Sequence, residues 1–435
     1  MRRIGGNLTP ARVSTILQSA DLGYTTDLVD LGNEARQKDG HLHSVLFTRE
    51  TALCGLDLQV QPYVERGATR PTARAQLVAD FVEDALEQAL GLSPEIKGLQ
   101  DLLVHMQGGI YWGYAQSETV WRVDGGAILP AGFICHSPRR FCFRDSDGAL
   151  VQWDDSVTGM RKPEIDVQKA WPGRWIQHQP RVLGDVPARE GLLRVLIWPA
   201  LFRNWDFSDW LRLAELAWKP WRIGKYKEGA TSKDIDALVE ALEALTSNGI
   251  ATISERVELD IRQPNAAGKG DASDHQALAE FFGAEISKAA LGQTLTTDQG
   301  RRGARSLGEV HAAVRMDIRS ADALAAASTL RRDLVAWIVR LNFGDAEPIP
   351  RLRIVTTTPQ NVAEFARGVS DLVKVGHPVA VAWVNEHIGQ PEPRDGEQLL
   401  EAPKPPAPAA PQDDGEDVDL TDLESDESAT DDETA

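Results

Sequence analysis

From Ser306 to Leu341 the apolar residues recur at helical spacing: Leu307, Val310, Val314, Ile318, Ala321 and Leu324, then Leu334, Ile338 and Leu341. No proline interrupts the run. The pattern predicts a single helix, which at 1.5 Å per residue would reach about 54 Å. One compact core does not need so long a rod. The length predicts a spine that crosses an assembly, with the rest of the chain folded around it.

The N-terminal part mixes periods. Residues 11–60 read as helix, then strand: Leu42, Val45, Leu46 and Leu53 suit a helix, and Leu56, Leu58 and Val60 alternate. Pro62, Gly67 and Pro71 mark a loop. Leu77, Phe81, Ala85 and Val78, Val82, Leu86 form adjoining stripes of a helix over 72–90, with Gly91 where a C-terminal cap belongs. A further helix is predicted over 95–107 on Ile96, Leu99, Leu103 and Met106. From 113 the period becomes two. Asp124-Gly125-Gly126 supplies one turn, and Asp145-Ser146-Asp147-Gly148, between Phe141/Phe143 and Leu150/Gln152, supplies another. Residues 113–180 therefore read as antiparallel β, and 1–190 as one α+β unit.

Five of the chain's twelve tryptophans, Trp198, Trp205, Trp210, Trp218 and Trp221, fall within a helical pattern that Asp206 or Ser208 could cap midway and Pro220 ends. Residues 222–272 read as a small insert: strand, short amphipathic helix on Ile235, Leu238, Leu242 and Leu245, one or two strands, loop. A helix returns at 274–291, with Ser273 and Gln276 as a capping box, an apolar stripe of Leu278, Phe281, Phe282, Ile286 and Ala289, and Gly292 after its end. A Gly-rich polar connection precedes the spine. Two short helices are predicted within 358–390, around Val362, Phe365 and Leu372 and around Val381, Trp383, Val384 and Ile388. PKPPAPAAP at 403–411 is a stiff spacer, and the residues beyond it carry charge of one sign with few apolar side chains, so they are expected to be disordered.

The formal charge is −19, but residues 412–435 hold twelve acidic and no basic residues; −19 less −12 leaves −7 on the body. This balance argues against a protein that grips nucleic acid or anionic membrane through overall charge. No uncharged apolar run approaches the length of about 18 residues that a membrane helix needs, and the N-terminus lacks the apolar run of a signal peptide. Cys54, Cys135 and Cys142 show no metal or disulfide spacing and read as small buried residues of a reducing, cytosolic chain. No nucleotide loop, HExxH or GxSxG is present; AAGKGDAS lacks the leading glycine. His41 and His43 diverge on a helix, and Glu309, His311 and Asp317 read as a solvated face. No catalytic constellation, metal site or cofactor site is predicted.

Two groups remain. Arg301, Arg302 and Arg305, with Thr294, Thr296 and Thr297, make the densest basic, hydroxyl-rich segment, lying between two long helices and able to approach phosphates weakly. The tryptophans either fill a core or, as large anchoring rings, pack against a neighbouring subunit. From the residues alone the chain is a large α+β protein that assembles and shows no active site.

The segments KDGHLHSVLFTRE, WGYAQSETVWRVDGG, SPRRFCFRDSDG, GLLRVLIWPALFRNW, ISKAALGQTLTTDQGRRGARSLGEVHAAVRMDI and HPVAVAWVNEHIG resemble, in order and over about residues 10–398, the Mu-like bacteriophage portal protein family. The resemblance implies a homo-oligomeric ring, typically of about twelve copies, at one vertex of a capsid. Double-stranded DNA passes through such a ring, driven by the terminase large subunit. The major capsid protein and head-completion or adaptor proteins are its other partners, with no membrane and no cofactor. It further implies a wing over 1–190, stem helices over 191–221 and 273–292, and a clip over 222–272. A tunnel-loop region over 293–305, a spine returning to the wing over 306–357, and a crown over 358–400 complete the portal-type fold, with 401–435 outside it. In that frame Thr294, Thr296, Thr297, Arg301, Arg302 and Arg305 face the tunnel and the five tryptophans face neighbouring subunits. The place of action is the virion's portal vertex, after assembly in the host cytoplasm. The alternative is another head component, an adaptor or minor capsid protein.

Overall fold

The computed structural model describes residues 8–144, 147–154, 162–183, 187–218, 221–226, 229–247, 257–262, 272–293, 304–356 and 362–388. The chain divides into two units, residues 1–358 and 359–435.

Three helices open the first unit where one was predicted. They are α1 (Pro10–Asp21), α2 (Thr26–Lys38) and α3 (Gly40–Glu50). The breaks are local chemistry. Gly23 holds φ +95°, and a Cβ there would lie 2.0 Å from the Phe143 carbonyl oxygen. Asp39 accepts hydrogen bonds from the His41 and Leu42 N–H groups and so starts α3. The strand β1 (Leu58–Gln61) follows. Then comes α4 (Ala73–Glu87), whose Thr72 hydroxyl accepts from Ala75 N–H. Gly91 is not the cap of α4, which ends at Glu87. Instead its φ of +85° turns the chain onto Ile96–Gly98, where a Cβ would lie 2.6 Å from Ile96 O. For the same reason Ile96 precedes α5 (Leu99–Trp112) rather than lying on its face.

The β region is antiparallel, as its period predicts. It comprises β2 (Ala115–Asp124), β3 (Ala127–His136), β4 (Phe141–Phe143), β5 (Leu150–Asp154), β6 (Lys162–Ile165), a short α6 (Val167–Ala170) and β7 (Trp175–His178). One sheet has the order β3-β2-β7 and another β4-β5-β6. The second predicted hairpin has Phe141 opposite Gln152 and Phe143 opposite Leu150.

The tryptophan-rich segment is one helix, α7 (Leu193–Trp218), with Pro199 inside it. Asp206 and Ser208 are interior residues, not caps: the Ser208 hydroxyl donates to the Asn204 carbonyl one turn back. The insert has β8 (Trp221–Tyr226), α8 (Ser232–Ser247) and β9 (Val257–Arg262), with β8 and β9 antiparallel. Pro220 and the 263–271 loop lie outside the described residues. Next is α9 (Ala272–Leu291). It starts one residue before Ser273, and the Gln276 amide donates to Glu280, so the predicted capping box is not formed.

The spine exists, but it is not uniform. Helix α10 (Ala304–Leu330) passes through a π-helical turn, Arg331–Val335, into α11 (Ala336–Phe343). At 1.5 Å per residue the whole run spans about 60 Å. The π turn sits against the outer edge of β7. The Asp333 carboxylate accepts from Gln177 N–H at 3.0 Å, and Arg332 donates to the Gln177 carbonyl at 2.7 Å. Side chains of the spine thus satisfy a strand edge that would otherwise be open. Beyond the spine, β10 (Arg351–Ile354) pairs with β1, Leu58 opposite Ile354.

Two cores result. One joins Val78, Val82, Leu102, Leu103 and Phe133 to Leu330, Leu334 and Ile338 of the spine. The other joins Leu42, Val45, Leu196, Ile197 and Leu201 to Ile286 and Ala290. Leu324 and Leu341, predicted on the spine's apolar stripe, are exposed, because Ala323, Ala326, Ala327 and Val339 form the inner face instead. Cys142 is buried and Cys135 half-buried, but Cys54 is exposed, against the expectation of three buried thiols.

The second unit contains α12 (Val362–Lys374) and α13 (Val381–Ile388), with the Phe365 and Trp383 ring centroids 5.4 Å apart. Residues 389–435, including the spacer and acidic tail, lie outside the described residues.

Candidate functional site

The predicted basic segment is only partly described. Thr294, Thr296, Thr297, Arg301 and Arg302 lie outside the described residues. Arg305 is the second residue of α10, and its side chain is likewise not described. The frame that holds the segment is clear on both sides. Gly292, just past α9, lies so close to the spine that a Cβ would meet Val314 Cγ1 at 2.9 Å. Arg49 of α3 ties the three helices together: it donates to both Asp322 oxygens at 3.0 Å and to the Ala290 carbonyl at 2.7 Å. Both partners of this forked pair are largely buried, which makes it a rigid clamp rather than a surface bridge. Pattern alone did not single out Arg49; a lone arginine in an amphipathic helix carries no signal of a partner 273 positions away.

The tryptophans are resolved into two groups. Trp198 and Trp205 are half-buried against the second core. They continue outward as a chain of rings: Trp198 to Phe202 at 5.9 Å, Phe202 to Trp205 at 5.6 Å, Phe202 to Phe282 of α9 at 5.6 Å, and Phe282 to Phe281 at 5.4 Å. Phe202, Leu278 and Phe281 are 38%, 43% and 56% exposed. Trp210 instead stacks on His275, whose Nδ1–H donates to the buried Asp206 carboxylate at 2.6 Å. Trp218 and Trp221 end α7 and begin β8, and their side chains are not described.

A groove lined by both polar and apolar side chains, Phe281 among them, runs along the same helix pair. The Asp39 carboxylate that caps α3 also pairs with Arg203 of α7. Arg203 lies over the Phe207 ring at 5.0 Å, and its Nε has no partner among the described residues. His41 Nε2–H reaches the Gly283 carbonyl at 2.8 Å and Ser287 Oγ at 2.9 Å. With Trp210, Glu280, Ala284 and Lys288 these residues line an open groove between α3, α7 and α9.

The titratable groups elsewhere serve the fold. His178 hydrogen-bonds Thr329 at 2.9 Å; burial, with Arg332 and His105 nearby, pushes its pKa down to about 4. Burial pushes the Cys135 and Cys142 thiols up, to about 11 and about 12, which leaves them unreactive. Among the described residues no cluster of His, Cys, Asp or Glu could hold a metal, and no helix is long and apolar enough to cross a membrane.

This arrangement offers surfaces and clamps. Comparison with known proteins agrees with that character. Residues 29–390 match the family model described as the portal protein of Mu bacteriophage. The chain is 30% identical over 408 residues to the Mu-like prophage FluMu protein gp29 of Haemophilus influenzae, covering 90% of this chain and 72% of that one. It is 29% identical over 397 residues to the portal protein of Escherichia phage Mu, covering 90% and 73%. Two solved structures are more distant. A chain of the native gene transfer agent virion aligns over 88% of this chain and 95% of its own at 12% identity and TM-score 0.47. An HK97 family phage portal protein from Corynebacterium diphtheriae aligns over 79% and 98% at 13% identity and TM-score 0.41. The alternative of an adaptor or minor capsid protein is not favoured by the family match. A sequence match running through both cores, the tryptophan helix and the spine leaves one conclusion: the chain belongs to the family of Mu bacteriophage portal proteins.

Proposed function

We propose that the chain forms a ring of about twelve copies at one capsid vertex. It acts there as the conduit through which a terminase motor packages double-stranded DNA and through which the genome later leaves. The carrying observation is the family match across residues 29–390. The ring-chain of exposed aromatics on α7 and α9 supports assembly, since such rings anchor interfaces. The mildly acidic body supports passage, because a strongly basic tunnel would hold DNA through counterion release and stall it.

Within this reading, residues 1–190 with the spine over 306–357 form the wing. Residues 191–221 and 273–292 form the stem, 222–272 the clip and 358–400 the crown. Thr294, Thr296, Thr297, Arg301, Arg302 and Arg305 of the 293–305 connection face the tunnel. The ring sits among major capsid subunits and carries head-completion or adaptor proteins on its outer side.

Gold-labelled chain imaged in assembled particles tests the reading. Label at a single vertex is expected; label over the whole shell would overturn it in favour of a coat component. For the connection, Arg301→Ala combined with Arg302→Ala is expected to leave ring formation unchanged and to lower the DNA packaged per particle. Normal packaging by that double variant would remove these arginines from the tunnel.

A further inference from the structure

A largely buried cation joins three helices where α9 gives way to the spine. Arg49 stands in the last turn of α3 and is 13% exposed; Asp322 of α10 is 12% exposed. Besides its fork on Asp322, Arg49 donates to the carbonyl of Ala290, the penultimate residue of α9. That carbonyl is one of those a helix leaves without an internal partner, at the negative end of its dipole. Arg49 therefore caps α9 from outside while it grips the spine. The direct contact of the α9 end with the spine is of another kind. A Cβ at Gly292 would lie 2.9 Å from Val314 and 3.1 Å from Ile318, so backbone packs on apolar side chains there. Apolar contact is non-directional and resists slippage weakly, whereas three directed hydrogen bonds from one planar guanidinium fix both rotation and height. Val314 and Ile318 lie about 15 and 21 Å along the spine from its first residue, Ala304. The chain thus leaves α9 and enters α10 at two different heights on one rod.

We infer that Arg49 is a positioning residue: it fixes the end of α9 against the spine and so sets where the connection between α9 and α10 begins and ends. This role rests on the reading of that connection as the part of the portal that faces DNA. Arg49 itself touches no DNA; it acts through Ala290 and Asp322. Its place between the two cores carries the inference. Leu42, Val45 and Leu46 of α3 share one core with Ile286 and Ala290 of α9. Ala323, Ala326 and Leu330 of the spine belong to the other. Apolar packing thus already holds α3 to α9, and what Arg49 adds is the link from that pair to the spine, at the residue next to Ala323. A buried ion pair adds little net stability over apolar side chains of similar volume, because desolvation offsets the attraction. What this one supplies is a single arrangement in which all three hydrogen bonds form. A lysine at the same place would bring the charge without the fork.

Removing the geometry while keeping the fold separates positioning from stability. Arg49→Met combined with Asp322→Leu replaces the pair by apolar side chains, so that neither charge is left buried alone. The full-length double variant is compared with the unaltered chain by thermal melting, by mass photometry, by timed trypsin digestion read by mass spectrometry, and by the DNA retained in assembled particles. Arg66 and Arg70, exposed in the loop before α4, are the internal reference for digestion. Melting and ring yield are expected to stay near those of the unaltered chain. Cleavage after Arg301 and Arg302 is expected to rise at least about fivefold relative to the reference sites, as the tie that opposes local opening is lost, and retained DNA to fall. Arg49→Lys is expected to lie between the two chains. An unchanged cleavage ratio in the folded double variant would overturn the proposal. So would equal acceleration at Arg66 and Arg70, which would make Arg49 a residue of overall stability, and so would a lysine variant indistinguishable from the unaltered chain. If the double variant melts early, Asp322→Asn, which keeps the size of the side chain, is judged by the same ratio and the same outcomes. Faster cleavage after Arg301 and Arg302 with retained DNA unchanged would uphold the positioning role and overturn the tunnel reading of the connection, so the two failures are distinct.

Discussion

The spine and the α7–α9 pair are both long and rich in apolar residues, yet they use them differently. Around the π turn the spine has Leu330, Leu334, Val335, Ile338 and Val339 fully buried in its own chain. The helix pair leaves Phe202, Leu211, Leu278 and Phe281 between 38% and 56% exposed. The difference separates two uses of hydrophobic area. One stabilises the protomer; the other is left for association, where burial at about 25 cal/mol per Å² is realised only when a partner arrives. Loss of a spine residue should therefore unfold the chain, and loss of an exposed residue of the helix pair should separate copies that remain folded.

The largest expected effect lies in the spine. Leu334→Ala removes most of a buried side chain at the point where the spine meets the sheets. It should cost about 2–5 kcal/mol in urea unfolding of the protomer, because the site can close only partly around the cavity. A cost below about 1 kcal/mol would mean that this half of the spine is not the core of the chain.

The next effect is a pH dependence on the spine side, through His178. His178 is buried neutral, and its pKa is depressed to about 4. Between that value and its unfolded value near 6.5 the unfolded chain binds the extra proton. The contribution of His178 is therefore intact above about pH 6.5 and is lost as the pH falls towards 4. Going from pH 7 to pH 5 should cost about 2 kcal/mol through this residue. His178→Gln should flatten that part of the urea-midpoint profile. An unchanged slope in the variant would place the acid sensitivity elsewhere.

The smallest effect is the counterpart in the helix pair. Leu278→Ala should change protomer stability by no more than about 0.5 kcal/mol, as expected for an exposed position, while weakening assembly. A large loss of protomer stability would erase the contrast between the two regions.

Much of this was legible in sequence because the signals are local. The β2–β3 hairpin follows from a period of two and Asp124-Gly125-Gly126, and the two strands are antiparallel around that turn, with a register shift between Val120 and Trp121 that the period does not reveal. The spine follows from its unbroken helical period. What was not legible depends on distant partners. The π turn at Arg331–Val335 arises where Asp333 meets the edge of β7, and β10 is a strand only because β1 lies beside it. Gly91 and Ser273 were plausible caps by residue type, but Ile96–Gly98 claims the first and α9 begins before the second. The aromatic character of α7 was plain, whereas the groove beside it required the position of α9. The Asp39–Arg203 and Arg49–Asp322 pairs, which frame the groove and the connection to the spine, have no signature in spacing at all.

The central claim, that this chain forms a closed ring, is tested most directly by native mass spectrometry of the full-length chain across a concentration series. A closed assembly near twelve times 47.7 kDa, with no intermediates that keep growing, is the predicted result. A stable monomer or dimer under all conditions, or an open-ended distribution of sizes, would contradict it.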